Sequence, residues 1–180
     1  MKIIKFLGII VVAIVALALI TALFVKSEYA VSREVTINKP KNEVFEYIKL
    51  LKNQENYSVW AKIDPYAQHE FKGTDGTVGF VSSWKSENKD MGIGEQTIEK
   101  IATGERIDYE LHFIEPFEAR DHAYMTTVAV NDSTTSVTWG FEGRMNYPMN
   151  LMLLFMDMEE MLGKDLQGGL DNLKAVLEQK

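Results

Sequence analysis

The sequence predicts an α+β fold: an antiparallel sheet covered on its one apolar face by a long C-terminal helix, behind a single N-terminal membrane-spanning helix. Three observations lead there. Phe6 to Val25 is a run of 20 residues without a charge. From His69 to Asn146 apolar and polar residues alternate between short turn signals, the period of half-buried strands. Near the C-terminus Leu166, Leu170, Leu173 and Leu177 recur at i, i+4, i+7 and i+11, a single stripe on a helix.

The uncharged run comes first. At about 1.5 Å per residue it reaches roughly 30 Å, the thickness of a bilayer's hydrocarbon core. As a helix it satisfies its own backbone hydrogen bonds in lipid. A core helix of a soluble protein that long would carry a polar face. A cleaved signal peptide has a shorter apolar core, about 7–15 residues. No small-x-small site follows the run, since Glu28 stands two positions before Ala30, and no cysteine is present to carry a lipid anchor. An uncleaved anchor over residues 1–27 is therefore expected, with one domain over residues 28–180. Lys2, Lys5 and the α-amino group precede the run, which orients the N-terminus to the cytoplasm and the domain outside it, in the periplasm or at the cell surface.

The body, of about 150 residues, is one ordinary domain with room for a sizeable core. It holds 16 basic residues against 26 acidic ones, a net charge of −10. That excludes nucleic acid as a partner. It also sets the body against anionic headgroups, so its tie to the membrane is the helix. Without cysteine, no disulfide holds the fold.

Tyr29 to Ile37 forms the first strand, with Val31, Val35 and Ile37 on one face and Arg33 as the exception on that face. Pro40 suits the first turn of a helix through Val44, Phe45 and Ile48. A second short helix is expected over Leu51 to Trp60. Strands follow over Gly79–Ser86, Gly92–Ala102, Arg106–Phe113, Glu118–Val130 and Thr135–Asn146. The third of these is the clearest, with Ile107, Tyr109, Leu111 and Phe113 alternating against Asp108, Glu110 and His112. Asn131-Asp132-Ser133 is a hairpin turn. Consecutive strands neighbour one another, which makes the sheet antiparallel.

Short motifs in this order resemble one family. Pro40 with Val44-Phe45 opens the first helix, and Asn56 and Trp60 close the second. Gly79 and Trp84 flank a strand, and Gly92-Ile93-Gly94-Glu95-Gln96 begins the next. Phe113 and Pro116 end a strand, Thr135-Ser136-Val137-Thr138-Trp139 begins the last, and Gly168-Gly169-Leu170-Asp171-Asn172-Leu173-Lys174 lies in the final helix. From Val31 to Glu178 the chain resembles the SRPBCC superfamily, the START-like helix-grip proteins of the polyketide cyclase/dehydrase type. The resemblance implies a curved sheet gripping the long helix, with an apolar cavity between them for a lipid-like or aromatic small molecule.

No motif demands catalysis. His69, His112 and His122 lack HxH or HxxxH spacing and cysteine is absent, so neither a metal nor another cofactor is expected. Asp121 and His122 are adjacent on a strand and point to opposite faces. Ser82-Ser83 has no nucleophile-elbow context. Asp157, Glu159 and Glu160 fit a solvated helix face better than an acid/base group. Gly92-Ile93-Gly94 is followed by no helix and no Lys-Ser/Thr pair, so it marks a bend in a strand and not a phosphate loop.

The apolar residues carry more. Trp84, Tyr109, Leu111, Trp139 and Phe141 are candidate cavity walls. Met152, Phe155, Met156 and Met161 are candidates for an adaptable lid. The expected function is binding of an apolar small molecule or lipid. Two alternatives stand beside it. One is an enzyme of cyclase or dehydratase type, which needs an inward acid or base, with Arg33, Glu95 and Arg144 as the polar residues to check. The other is an interaction module with a filled core.

Overall fold

The computed structural model describes residues 2–179. Helix α1 (Lys2–Ala22) contains a 20-residue stretch long and apolar enough to cross a membrane. It stands clear of the body, and only Ala22 at its end is buried. The body then runs β1 (Glu28–Ile37), α2 (Lys41–Lys49), α3 (Gln54–Tyr57), β2 (Gln68–Lys72), β3 (Val81–Lys85), β4 (Ile93–Ala102), β5 (Arg106–Glu115), β6 (Ala119–Asn131), β7 (Thr134–Arg144) and α4 (Met158–Glu178).

The seven strands form one curved antiparallel sheet in the order β1-β7-β6-β5-β4-β3-β2. Sequence neighbours pair throughout except at β1, which crosses to β7 with Val31 opposite Phe141 and Val35 opposite Val137. The β6–β7 turn is closed by the Asn131 side chain, which accepts the Ser133 N–H at 2.9 Å.

Alternation decides which face is buried. Ile107 and Tyr109 on β5 and Val137 on β7 point inward and are fully buried, and Trp139 beside them is 4 % exposed. The leucine stripe of α4 lies on this face, where Leu166, Leu170 and Leu173 are wholly buried. Asp157 starts α4 by accepting the Glu160 N–H at 2.9 Å. Glu159 and Glu160 stand in its first turn, the end of the helix dipole that favours negative charge. Arg33, the polar exception on β1, explains how that turn is held. Its guanidinium bonds the Glu159 carboxylate at 2.6 Å and the Glu159 carbonyl at 3.1 Å. It lies flat on Gly163, where a Cβ would fall 1.9 Å from Nη2.

The region expected as one short helix over Leu51 to Trp60 is three pieces. A 3₁₀ turn (Leu51–Asn53) precedes α3, and a second (Trp60–Lys62) follows it. Leu50 is extended and separates the first turn from α2, and Ser58 is extended and breaks the run after α3. The first turn is capped from outside it, because the Asp75 carboxylate accepts the N–H groups of Leu51 and Lys52 at 2.8 and 3.2 Å. A short edge strand, β2, precedes the strand expected over Gly79–Ser86. The segment before α4 is a 3₁₀ helix (Met149–Leu154) and not a continuation of α4.

Candidate ligand-binding cavity

The space between sheet and helix is not filled along its whole length. Beyond Leu166, toward the start of α4, a cavity of about 320 Å³ remains. Its sheet wall is built from inward positions on five strands: Trp84 on β3, Gln96 on β4, Leu111 and Phe113 on β5, Ala123 on β6, and Trp139 and Phe141 on β7. Across from them stand Gln54, Ser58, Trp60 and Ile63 from the α3 region and Leu162 from α4.

Two glycines set the shape of the walls. Trp84 lies across Gly94, where a Cβ would come 2.4 Å from the indole. The ring is fixed by its Nε1–H, which donates to the Met91 carbonyl at 3.2 Å, and by an edge contact with Phe113 at 6.1 Å between centroids. Trp139 lies against Gly169 of α4, where a Cβ would come 2.6 Å from the ring. It meets Tyr57 and Trp60 edge-on at 5.7 and 5.6 Å. Both indoles are thus held along the walls and do not fill the space.

The lining also holds polar groups. Gln96 and Ser58 are buried, and Gln54 reaches in from α3. Deeper, Tyr109 is fully buried, and neither its hydroxyl nor the Gln54 Nε2 closes a hydrogen bond of normal geometry among the described residues. Burial above all, and then the Asp75 carboxylate, push the Tyr109 phenol well up, against a smaller opposing pull from the Gln54 amide. Tyr57 is raised too, first by burial and then by Tyr109 and Tyr47. Both phenols are therefore neutral donors at physiological pH. At the mouth, His69 Nδ1 stands 3.8 Å from Glu55 Oε1.

Of the wall residues expected from sequence, Trp84, Leu111, Trp139 and Phe141 line the cavity. Tyr109 sits one step further in, within the packed core. The expected lid residues Met152, Phe155, Met156 and Met161 are not among the lining residues. Met152 and Phe155 project outward at 42 % and 87 % exposure, and Met161 lies on the outer side of α4. Leu162, one residue on and so about 100° around the helix, faces the cavity in its place. None of the polar residues picked for checking lines the cavity. Arg33 is bound to Glu159, Glu95 lies beside His112 at 3.4 Å, and Arg144 is exposed near Glu28 at 3.9 Å. Phe113 and Gln96 could have been found by extending the alternation through Leu111 and Ile98. Gln54, Trp60 and Ile63 could not, because irregular helical turns carry no such period.

A larger concavity of about 540 Å³ opens at the outer side of the sheet around Glu28, Glu110, Arg120, His122, Glu142 and Arg144. It is a charged, solvated surface whose groups answer one another: Arg120 binds Glu110 at 2.6 Å, and His122 lies 3.2 Å from Asp108 and 3.3 Å from Glu142. Asp121 faces away from this His, accepting the Arg144 N–H at 3.2 Å. Among the described residues no group of three or more His, Asp or Glu is arranged to hold a metal ion.

Residues 29–178 match the family model described as polyketide cyclase / dehydrase and lipid transport. The chain belongs to this family. Its helix-grip fold recurs in solved structures of low sequence identity. Norcoclaurine synthase from Thalictrum flavum, in complex with dopamine and hydroxybenzaldehyde, superposes with a TM-score of 0.62 at 13% identity, covering 89% of this chain and 92% of that one. A hypothetical protein from Helicobacter pylori gives 0.60 at 15% identity, covering 82% and 87%. A protein from Nitrosospira multiformis gives 0.55 at 16% identity, covering 82% and 94%. No curated protein matches the chain. These likenesses establish the fold. Activity is a property of the site and not of the fold.

Proposed function

We propose that this family member is a membrane-anchored binding protein for a lipid-like small molecule, its domain held outside the cytoplasm by α1. One observation carries the reading: the unfilled space of about 320 Å³ walled by Trp84, Leu111, Phe113, Trp139, Phe141 and Leu162. Its volume falls at the lower end of the range for small-molecule pockets, about 300–1,000 Å³. The Gln54 and Gln96 amides suit a ligand with an apolar body and one hydrogen-bonding group. The family's description includes lipid transport, and the synthase of like fold was solved with two aromatic small molecules.

The test uses the full chain in detergent, titrated with a medium-chain fatty acid while tryptophan emission is followed. A saturable change, competed by a hydrophobic dye, is the expected result. A strictly linear response with no competition overturns the binding function and favours a domain that only interacts with partners.

Chemistry on the bound molecule is the second reading, favoured by the His69–Glu55 pair at the cavity mouth. If it holds, His69→Ala abolishes turnover of the bound compound and leaves its binding unchanged.

A further inference from the structure

One end of the sheet lies beside the end of the anchor. β1 begins at Glu28, six residues after α1 ends at Ala22, and Glu28 pairs with Arg144 at the end of β7. The antiparallel register brings the β5–β6 connection and the segment after β7 to this same end of the sheet. The segment after β7 is apolar and outward-facing, and the β5–β6 connection sets one exposed phenylalanine, Phe117, between Glu115 and Glu118. Ile114 at the end of β5 and Phe117 in the connection are 44 % and 80 % exposed, and Met149, Leu154 and Phe155 after β7 are 55 %, 56 % and 87 % exposed. Met145 to Met156 is a run of twelve residues without a charge, in a body of net charge −10.

This rim is fastened to α1. Asn150 is 3 % exposed, and its Nδ2 donates to the Ala22 carbonyl at 2.8 Å and the Val25 carbonyl at 2.9 Å. A helix leaves its last carbonyls without intrahelical partners, and here one buried amide takes up that of Ala22 together with one just beyond the helix. If α1 spans a bilayer, its end lies at the interface, and Asn150 fixes the apolar segment at the same depth.

We propose that this rim is a second membrane contact: Phe117, Met149, Leu154 and Phe155 sink into the interfacial layer of the leaflet from which α1 emerges, with Asn150 as the lock between rim and anchor. Several large apolar side chains exposed within one short run, as at Met149, Leu154 and Phe155, are unusual on a free soluble surface. The uncharged run from Met145 to Met156 suits the region about 5–10 Å deep where interfacial segments bury their apolar side. The acidic body selects zwitterionic lipid over anionic lipid. The contact orients the domain. Phe113, next to Ile114, and Leu162, in the second turn of α4, both line the cavity, so the rim sets this end of the cavity against the leaflet. The proposal rests on the reading of α1 as an anchor and does not require that a ligand bind.

The chain has no native cysteine, so single reporters can be placed in the full-length protein in phosphatidylcholine nanodiscs. A bimane label goes on Phe117→Cys, Phe155→Cys, Leu17→Cys in α1, and Asp132→Cys in the β6–β7 turn at the opposite end of the sheet. Shallow nitroxide lipids are expected to quench the labels at 117 and 155 several-fold more than the one at 132, and nitroxides deep in the acyl chains to quench the one at 17. Equal, weak quenching at 117, 155 and 132 with strong quenching at 17 overturns the rim contact and leaves the anchor intact. Absence of quenching at 17 overturns both. Blue-shifted labels at 117 and 155 that nitroxide lipid does not quench assign the rim to a protein partner and overturn the proposal. Asn150→Ala should lower quenching at 155 without changing it at 17, and unchanged quenching at 155 removes Asn150 as the lock.

Discussion

Along α4, two stretches of one interface have opposite outcomes. From Leu166 to Leu177 the helix offers a leucine at every turn, and each is at most 2 % exposed against Ile37, Val137 and their neighbours. Toward its start the helix offers Leu162 and, between two of the leucines, Gly169 under the Trp139 ring, and the sheet answers with Gly94, Ala123 and broad rings. Branched side chains interdigitate and close the first stretch to the density of a protein interior. A ring lying flat on a glycine uses its area to make a wall. Small residues behind large flat ones therefore leave a gap that leucines would have filled. The fold's stability resides in one half and its candidate site in the other.

That division can be broken most sharply in the packed half. Leu170→Ala should cost about 2–5 kcal/mol, the range for truncating a buried leucine into a residual cavity. Denaturant melts of the full chain in detergent measure it, and dye affinity per folded molecule should stay unchanged. A loss of affinity as large as the loss of stability would mean that the two halves are one coupled core.

Gly169→Ala probes the border. The new Cβ would lie 2.6 Å from the Trp139 ring, so the indole has to swing toward the cavity. Overpacking of this kind costs about 1–3 kcal/mol. Affinity for a hydrophobic dye should fall together with stability, and tryptophan emission of the unliganded protein should shift. Unchanged affinity would show that the ring yields in another direction.

In the open half the expected stability effect is smaller. Leu111 lines the cavity and is only half-buried. Leu111→Ala enlarges a space that already exists, so about 1 kcal/mol is expected, well below Leu170→Ala. The fatty-acid dissociation constant should change more than the melting midpoint does. A cost equal to that of Leu170→Ala would mean that the cavity closes in solution.

The packed half was legible in the sequence and the open half only in part. The leucine stripe of α4 and the alternation on β5 have periods fixed by backbone geometry, so they survive without knowledge of the partner. The walls were legible where they lie on regular strands, as with Trp84, Leu111, Trp139 and Phe141. Whether Trp139 is core or wall had no answer in a pattern, because it is both: 4 % exposed, edge-on to Tyr57, and still bordering the cavity. Met152 and Phe155 looked like lid material by composition alone. Their outward placement follows from the 3₁₀ segment and the Asn150 contact with α1, and neither leaves a period to read. Trp60 and Ile63 depend on breaks at Leu50 and Ser58 and on a cap from Asp75, a partner 24 residues from Leu51.

The smallest expected effect comes from the edge where the charged outer face meets the interior. Burial raises the Asp121 carboxyl above its ordinary value, and the Arg144 N–H that it accepts offsets this only in part. A carboxyl raised in the folded state favours its protonated form there. Its contribution is fully present below the ordinary value of 3.8 and is lost as pH rises through the higher folded value. At neutral pH Asp121 therefore holds a partly desolvated charge that works against folding. Asp121→Asn keeps an oxygen to accept from Arg144 and removes the charge, so it should raise the melting midpoint at pH 7. The gain should shrink as pH is lowered toward 3, where the wild-type carboxyl is itself neutral. The neighbouring Tyr29 phenol, pushed up to about 12 first by burial and then by Asp121, should titrate slightly lower in the variant, since the smaller of its two causes is gone. Thermal melts across pH 3 to 8 and an alkaline absorbance titration follow the two groups separately. A midpoint that rises equally at pH 3 and pH 7 would show that the amide gains a new contact, and that the charge of Asp121 carries no cost.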